Sequence, residues 1–254
     1  MSAPALANKC ILVTRPAGQS DHISRLIRDA GGLPFVFPCI EIRPPDDPAL
    51  LDRILHDLAD FDLAIFVSPT AVACAFGRIA GRGWPQSVRI AAPGQGSAGA
   101  LRAQGIDGIV APQGRSDSEA LLALPELQAV AGKRIVIFRG EGGRELLAQT
   151  LASRGATVEY AVCYRRARPD ADITPLLRQH EKQPFSAIIL TSRESLDNLR
   201  AMLGDAWDAF KTVPVFVPHV RIAEAAREQG LECVQVAENG DAGTMQAMIK
   251  FFQS

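Results

Sequence analysis

The chain has 254 residues, of which 47% are hydrophobic and 22% are charged, and its formal net charge at pH 7 is −1. This composition supports a full apolar core and argues against a disordered chain or a broadly basic nucleic-acid surface. The five cysteines are scattered, without a C-x-x-C or Cys/His cluster, so neither a zinc site nor a disulfide framework is predicted. No signal peptide and no apolar run of about 20 residues is visible, so we expect a soluble, cytosolic protein without membrane contact.

Short apolar runs recur along the chain, and each ends in a small polar turn followed by an amphipathic helical pattern. Six such runs are residues 11–13, 64–67, 88–91, 135–138, 188–190 and 215–217. A unit of buried strand, turn and helix builds an open parallel α/β sheet. The turns carry hydroxyls, glycines and arginines, and each would present backbone N–H groups to an anion at a helix start. The sequence therefore predicts a ligand rich in carboxylate or phosphate groups.

Two extended segments that contain or precede prolines interrupt this pattern, and we predict residues 38–43 and 164–168 as connectors. Residues 1–37 are too few to bury their own core, so we join them with residues 169–254 in one discontinuous domain. Residues 44–163 form an inserted second domain. The predicted fold class is α/β, with two doubly wound, flavodoxin-like parallel-sheet domains joined by a two-stranded extended connector. A cleft between the domains is the expected ligand site.

A weak internal repeat is also visible. Residues 11–37 and 135–164 both follow the order strand, arginine-containing turn, helix, glycine stop and strand. Any two βαβ units share that description, so the sequence leaves open whether these two segments correspond to each other in the fold.

Two glycine-rich turns share part of the pattern of phosphate-binding motifs. Residues 94–99 match G-x-G-x-x-G, but a dinucleotide site places this turn first in the fold, with an acid at the end of the next strand. Here the next strand leads into Pro112 and Gln113, so we predict a tight turn that holds an anion, and no cofactor. Residues 139–144 lack the lysine and hydroxyl of a P-loop, yet their glycines and two arginines suit a carboxylate.

Histidine and tyrosine supply the remaining candidates for chemistry. His219 lies in a strand-to-helix turn, and the sequence leaves its role open. His22, His56 and His180 lack a second ligand at metal spacing, so we predict a solvated surface for them and no metal site. Tyr164 starts the second connector. Its side chain either packs against the end of a strand, or its hydroxyl donates a proton to a leaving group.

Seven short motifs follow one another along the chain. They are VTRP at 13–16, IFVSP at 65–69, the glycine turn with Ser97-Ala98 before Leu101, FRG at 138–140, Gly155-Ala156 leading to YRR at 164–166, LTS at 190–192, and RIA at 221–223 before Gly230. Together they resemble the uroporphyrinogen III synthase family over nearly the whole chain. The resemblance implies two α/β domains without metal or cofactor. It also implies cyclisation of hydroxymethylbilane, a linear tetrapyrrole polycarboxylate, with loss of water and inversion of the terminal ring.

The resemblance also implies roles for particular residues. Tyr164 would assist the departing hydroxyl, and the substrate would be held by Thr14, Arg15, Ser68, Gly94, Ser97, Arg139, Gly140, Thr191, Ser192, His219 and Arg221. His219 stands where the family usually has a serine or threonine. We expect a monomer that takes a small-molecule substrate, binds no nucleic acid and contacts the preceding bilane-forming enzyme transiently.

Two other functions stay open on the sequence alone. A non-catalytic, two-lobed sensor of an anionic metabolite has the same composition and cleft, and the lack of a strong catalytic set favours it. A nucleotide-dependent oxidoreductase would rest on the G-x-G-x-x-G match, and titration with NAD(H) distinguishes it.

Overall fold

The structure is a computed structural model that describes residues 4–79, 81–115, 117–143, 145–238 and 240–253. Within these residues the strands are β1 Cys10–Val13, β2 Leu33–Val36, β3 Glu41–Arg43, β4 Leu63–Phe66, β5 Arg89–Ala91, β6 Arg134–Gly140, β7 Thr157–Ala167, β8 Ala187–Ile189, β9 Val215–Val217 and β10 Val234–Val236. The helices are α1 Asp21–Asp29, α2 Pro48–His56, α3 Pro69–Ile79, α4 Gln95–Ala103, α5 Ser118–Leu122, α6 Pro125–Gln128, α7 Leu146–Ser153, α8 Thr174–Lys182, α9 Arg193–Leu203, α10 Val220–Glu228 and α11 Asp241–Gln253. Short 3-10 turns occupy Leu58–Asp60 and Gly204–Phe210.

The chain folds into two compact units. The first unit contains Met1–Glu41 and Ala167–Ser254, and the second contains Ile42–Arg166. Both boundaries fall within residues that we predicted as connectors. They differ from the predicted limits because β3 and the end of β7 belong to the sheet of the second unit.

The first unit has the strand order β10-β9-β8-β1-β2, and each neighbouring pair of strands in this order is parallel. Numbered within the unit this is the order 2-1-3-4-5 of flavodoxin-like sheets, so the predicted doubly wound fold is confirmed. Ile11 and Val13 pack on one face against α1 and α11. Cys10 and Leu12 pack on the other face against α9 and α10. Burial on both faces explains why β1 is apolar throughout.

The second unit has the strand order β3-β7-β6-β4-β5. When β4 is numbered as the first strand, the neighbouring strands β5-β4-β6-β7 have the order 2-1-3-4, as in the first unit. The fifth position in the sheet is occupied by β3, although β3 precedes β4 in the sequence. The counterpart of β1-α1-β2 is therefore β4-α3-β5. Residues 11–37 and 135–164, whose correspondence the sequence left open, are therefore not equivalent, because β6 and β7 occupy the third and fourth positions.

The helix ends follow from local sequence. Asp47 caps α2 by accepting a hydrogen bond from the Leu50 N–H at 3.1 Å, and Pro48 lies in its first turn. The predicted stop Gly155 follows α7 with φ of 87°, a left-handed conformation that glycine adopts without strain. The strand that we predicted before Pro112, at residues 109–111, is reduced to a single parallel bridge between Ala91 and Val110. Pro112 has no N–H to continue a ladder.

This topology brings particular turns to one edge of each sheet. The carboxyl ends of β1 and β8 meet at the switch point of the first unit, and those of β4 and β6 meet at that of the second, where ligands of open α/β sheets usually bind. In the part of the chain that the structure describes, no helix has the length and apolar character to cross a membrane.

Candidate active site

Tyr164 lies at the carboxyl edge of the second unit, near the end of β7. Its side chain is buried, with 3% of the residue exposed. Its hydroxyl lies 3.1 Å from Ser68 Oγ, and either oxygen can be the donor. Ser68 Oγ also accepts the Ala71 N–H at 3.1 Å at the start of α3. When Ser68 donates to the phenolic oxygen, the Tyr164 proton is available to a ligand.

A bulge in β7 sets the direction of the Tyr164 side chain. Arg139 pairs with Val162, but Gly140 pairs with Tyr164, so Cys163 is the extra residue. Tyr164 consequently shares a core cluster with Ala161 and Cys163, whereas Tyr160 packs on the other face. In a regular strand, residues 160 and 164 would face the same side.

Gly140 is the close neighbour that this arrangement requires. A Cβ atom at Gly140 would lie 2.7 Å from Tyr164 Cζ and 3.1 Å from its hydroxyl. Any larger residue would therefore displace the tyrosine ring. The N–H of Glu141 also donates to the Tyr164 carbonyl at 2.8 Å, which fixes the turn to β7.

Arg139 precedes Gly140 in the same strand, and its guanidinium is nearly buried, with 8% of the side chain exposed. It donates to the carbonyls of Gly140 (3.3 Å) and Gly142 and to Glu145 Oε1 (3.2 Å). It also lies 4.7 Å from the ring centre of Tyr160. The second arginine of this turn, Arg144, lies outside the described residues.

These groups line a pocket of about 190 Å³ in the second unit. Its walls include Ser68, Ser118, Arg139, Gly140, Glu141, Gly142, Gly143, Tyr160, Tyr164 and Arg166. Small-molecule sites typically occupy roughly 300–1,000 Å³. This pocket is therefore too small for a whole ligand of that class and has room for one polar arm of it.

The predicted residues Gly94 and Ser97 are in a different place. Gly94 precedes α4 in an extended conformation, without a side-chain cap. Ser97 is buried within that helix. The turn follows β5, the strand at the edge of the sheet, and neither residue is in the lining of the second unit's pocket.

In the first unit, two of the predicted hydroxyls hold backbone. Thr14 is fully buried, and its hydroxyl donates to the Ile189 carbonyl at 2.8 Å, which ties β1 to β8. Ser192 caps α9, where its Oγ accepts the Ser195 N–H at 3.0 Å, and the Ser195 hydroxyl completes a capping box.

Other predicted residues of the first unit line a second pocket, of about 360 Å³. Its walls include Arg15, Gln19, Thr191, Pro218, His219, Asp241 and Thr244. His219 occupies the N-cap position of α10 without a side-chain cap bond. Arg221 is exposed in the first turn of α10 and is not in the lining.

Asp241 organises the charge at this second pocket. Its carboxylate contacts Arg15 Nη2 at 2.5 Å and His22 Nδ1 at 2.6 Å. Burial is the largest influence and raises the pKa of Asp241, but the hydrogen bonds and charges of Arg15 and His22 together lower the pKa below its usual value. Among the described residues, the buried Arg15 Nε has no hydrogen-bond partner, so this pocket contains a donor that the protein leaves unsatisfied.

The structure corrects the prediction for one of the histidines. His180 is not a solvated surface residue, since its ring stacks on Phe210 at 4.3 Å and on Phe185 at 5.5 Å. Its Nδ1 also accepts the Phe185 N–H at 3.2 Å. His22 is exposed but paired with Asp241, whereas His56 is exposed as predicted.

Sequence reasoning missed three groups at these sites: Tyr160, Glu145 and Asp241. Glu145 accepts a hydrogen bond from Tyr160 and pairs with Arg139. A sequence signal existed for Asp241, because an acid in the first turn of a helix is a common feature of helix starts. For Glu145 the only signal was its position directly after the glycine turn, and Tyr160 had no local signal.

The fold and these pockets define a class: a two-unit parallel α/β protein with polar, arginine-containing pockets at the carboxyl ends of its strands. Residues 21–249 match the family model described as uroporphyrinogen-III synthase HemD. The chain belongs to the uroporphyrinogen-III synthase family.

Individual relatives agree with this assignment. The uroporphyrinogen-III synthases of Salmonella typhimurium and Escherichia coli K12 are each 36% identical to this chain over 236 residues, which is 91% of this chain and 96% of each relative. A crystal structure of a mutant uroporphyrinogen III synthase from Thermus thermophilus is 18% identical, with a TM-score of 0.59. The superposition covers 96% of this chain and 99% of the Thermus thermophilus chain. At this identity the similarity supports the fold alone.

Proposed function

We propose that this chain converts hydroxymethylbilane to uroporphyrinogen III in tetrapyrrole biosynthesis, with loss of water and inversion of the terminal ring. The family match over residues 21–249 supports the reaction. The observation that carries the chemistry is the Tyr164 hydroxyl, which is hydrogen-bonded to Ser68 beside an open pocket.

Tyr164 would act at the first step as a general acid. Its proton moves to the terminal hydroxyl oxygen, the C–O bond breaks with the electrons of the pyrrole nitrogen forming an azafulvene, and water leaves. The substituted carbon of the far ring attacks to give a spiro-pyrrolenine. Fragmentation and reclosure at the free α-carbon then release a proton, which balances the one that Tyr164 supplied.

The uncatalysed bilane also cyclises, but without inversion, so the protein must mainly hold one folded conformer. We propose that Arg15, Thr191 and His219 bind carboxylate arms of the substrate in the first unit. In the second unit the turn at Gly140 does so, while Ser68 contributes by orienting the Tyr164 hydroxyl. Thr14 and Ser192 would contribute by holding the strand ends that carry these groups. Arg139 would contribute by holding the glycine turn. Gly94, Ser97 and Arg221 line neither pocket, so we propose no direct contact for them.

The test supplies porphobilinogen and porphobilinogen deaminase, adds this protein, oxidises the products and separates the uroporphyrin isomers by chromatography. A product that is mostly isomer III supports the synthase. Isomer I alone, from protein whose folding is verified by circular dichroism, would contradict it and favour the anion-binding sensor.

We further propose that the protein acts as a monomer in the cytoplasm, with transient contact to the preceding enzyme. All five cysteines are free thiols, as is usual for a reducing compartment. Light scattering after gel filtration tests the monomer, since the expected mass is 27.2 kDa. A concentration-independent doubling of that mass would contradict it.

A further inference from the structure

The charge of Arg139 is directed into the protein. Its side chain makes hydrogen bonds to Glu145 and to the carbonyls of Gly140 and Gly142, and it stacks on Tyr160. Although Arg139 is in the pocket lining, these four contacts and 8% exposure leave the guanidinium poorly placed to meet a ligand carboxylate directly. Arg139 can therefore affect a ligand mainly by positioning the groups to which it is hydrogen-bonded.

The main group that it holds is the glycine turn. Gly142 and Gly143 have φ of 69° and 103°, and a Cβ at Gly143 would lie 2.7 Å from Arg139 Nη2. The Gly142 carbonyl points towards Arg139, so the Gly143 N–H in the same trans peptide points away from it. Within the described residues neither glycine N–H has a hydrogen-bond partner, and both glycines line the pocket.

Two further side chains fix Arg139 in turn. Tyr160 donates a hydrogen bond to Glu145, and this bond, with Arg139, lowers the pKa of the Glu145 carboxyl so that it stays ionised. Burial first, and then the Glu145 carboxylate, raises the pKa of Tyr160, which keeps the phenol as the donor. The chain of contacts runs from Tyr160 through Glu145 and Arg139 to the turn.

We propose that Tyr160, Glu145 and Arg139 form a positioning triad, which holds the turn at residues 140–143 so that its backbone N–H groups bind one carboxylate arm of the substrate beside Tyr164. Successive backbone N–H groups in such turns are known anion sites. The pocket volume suits one acetate or propionate arm. This inference rests on the proposed function for the identity of the ligand, but the arrangement of the turn does not depend on it.

The test compares Tyr160→Phe and Glu145→Gln with the wild type. Tyr160→Phe keeps the ring beneath the guanidinium and removes only the hydroxyl. We expect each variant to raise KM for hydroxymethylbilane about tenfold, the scale of one hydrogen bond to a charged group, with kcat within about twofold. The double variant should be no worse than the more affected single variant, because the groups act in one chain.

Glu159→Gln is the matched control. Glu159 lies next to Tyr160 in β7 and pairs with Arg134 at 3.1 Å, with 37% of its side chain exposed. We expect it to leave KM unchanged. If the Tyr160 and Glu145 variants only lower the melting temperature and the active fraction, with KM unchanged, the triad is structural and the proposal is wrong.

A second readout separates this inference from the synthase assignment. Uroporphyrin, an octacarboxylate that does not react, is titrated into each protein while intrinsic fluorescence is recorded. Weaker binding by both variants, but not by Glu159→Gln, supports the positioned turn even if the wild type yields only isomer I. Equal affinity in all four proteins would overturn the proposal.

Discussion

The two units have sheets of closely related strand order, but they use their switch points differently. In the first unit the Arg15 guanidinium and the His22 ring both contact the Asp241 carboxylate, and among the described residues a buried Arg15 nitrogen lacks a hydrogen-bond partner. In the second unit the hydroxyls of Tyr164 and Ser68 lie within hydrogen-bond distance at a pocket that Arg166 also lines, and Arg139 is held by contacts within its own turn and strand.

This difference indicates a division of labour on one topology. Ionic groups with an available donor suit ground-state binding of carboxylates. A phenol that can keep or give a proton suits the departure of a hydroxyl. Changes at the Tyr164–Ser68 pair should therefore alter turnover most, and changes at the Asp241 pocket of the first unit should mainly alter KM.

The largest expected effect is on turnover in the second unit. Tyr164→Phe removes the proposed proton donor and should lower kcat about 100-fold, the lower end of the range for general acids. The ring still packs against Gly140, so the circular dichroism spectrum should not change. Steady-state assays measure the effect, and unchanged kcat would remove Tyr164 from the mechanism.

A smaller loss should follow from displacing the same ring. Gly140→Ala places a methyl group within 2.7 Å of Tyr164 and should lower kcat/KM at least about tenfold, since misplacement of a catalytic group is costly. Gly99→Ala is the control. Gly99 lies in α4, and nothing lies within 4 Å of a Cβ atom at this position, so the substitution should be neutral or stabilising. Equal activity of the two variants would refute the close-packing argument.

In the first unit the effect should appear in KM. Arg15→Gln removes the buried donor and the charge at the pocket, so we expect KM to rise about tenfold with kcat nearly unchanged. Arg193→Gln, an exposed arginine paired with Asp197 on α9, is the control and should match the wild type. A fall in kcat without a change in KM would reverse the division of labour.

The smallest effect concerns stability at acid pH. The pKa of Asp241 is lowered in the folded protein, so its stabilising contribution is present above the usual aspartate pKa of about 3.9 and is lost as pH falls through the folded value. Asp241→Asn should melt at a lower temperature than the wild type near neutral pH. This difference in melting temperature should become smaller below about pH 4. A difference that is constant from about pH 3 to pH 7 would contradict the ion pairing of Asp241.

Much of the fold was predictable because local and long-range requirements agree. Apolar runs such as residues 10–13 are buried on both faces of a parallel sheet, and the pattern indicates this directly. The topology was harder, since β1-α1-β2 and β6-α7-β7 look alike locally but occupy different positions in their sheets. Only strand order, a long-range property, separates them.

The site was less predictable for a similar reason. The turn residues Ser68 and Gly140 were identified from their position after strands. The bulge that turns Tyr164 towards Ser68 depends on the pairing of β7 with β6, which no local pattern specifies. Likewise, whether an arginine faces a ligand or the interior depends on partners such as Tyr160 and Glu145, which sequence spacing does not reveal.

The pairing of β1 with β8 has a consequence for the order of folding during synthesis. Thr14 is made early, but the carbonyl that it binds belongs to a residue 175 positions later. The sheet of the first unit cannot be completed until the whole of Ile42–Arg166 has left the ribosome. The inserted unit can therefore fold first. Until β8 is synthesised and pairs with β1, the apolar faces of β1 and β2 stay partly uncovered.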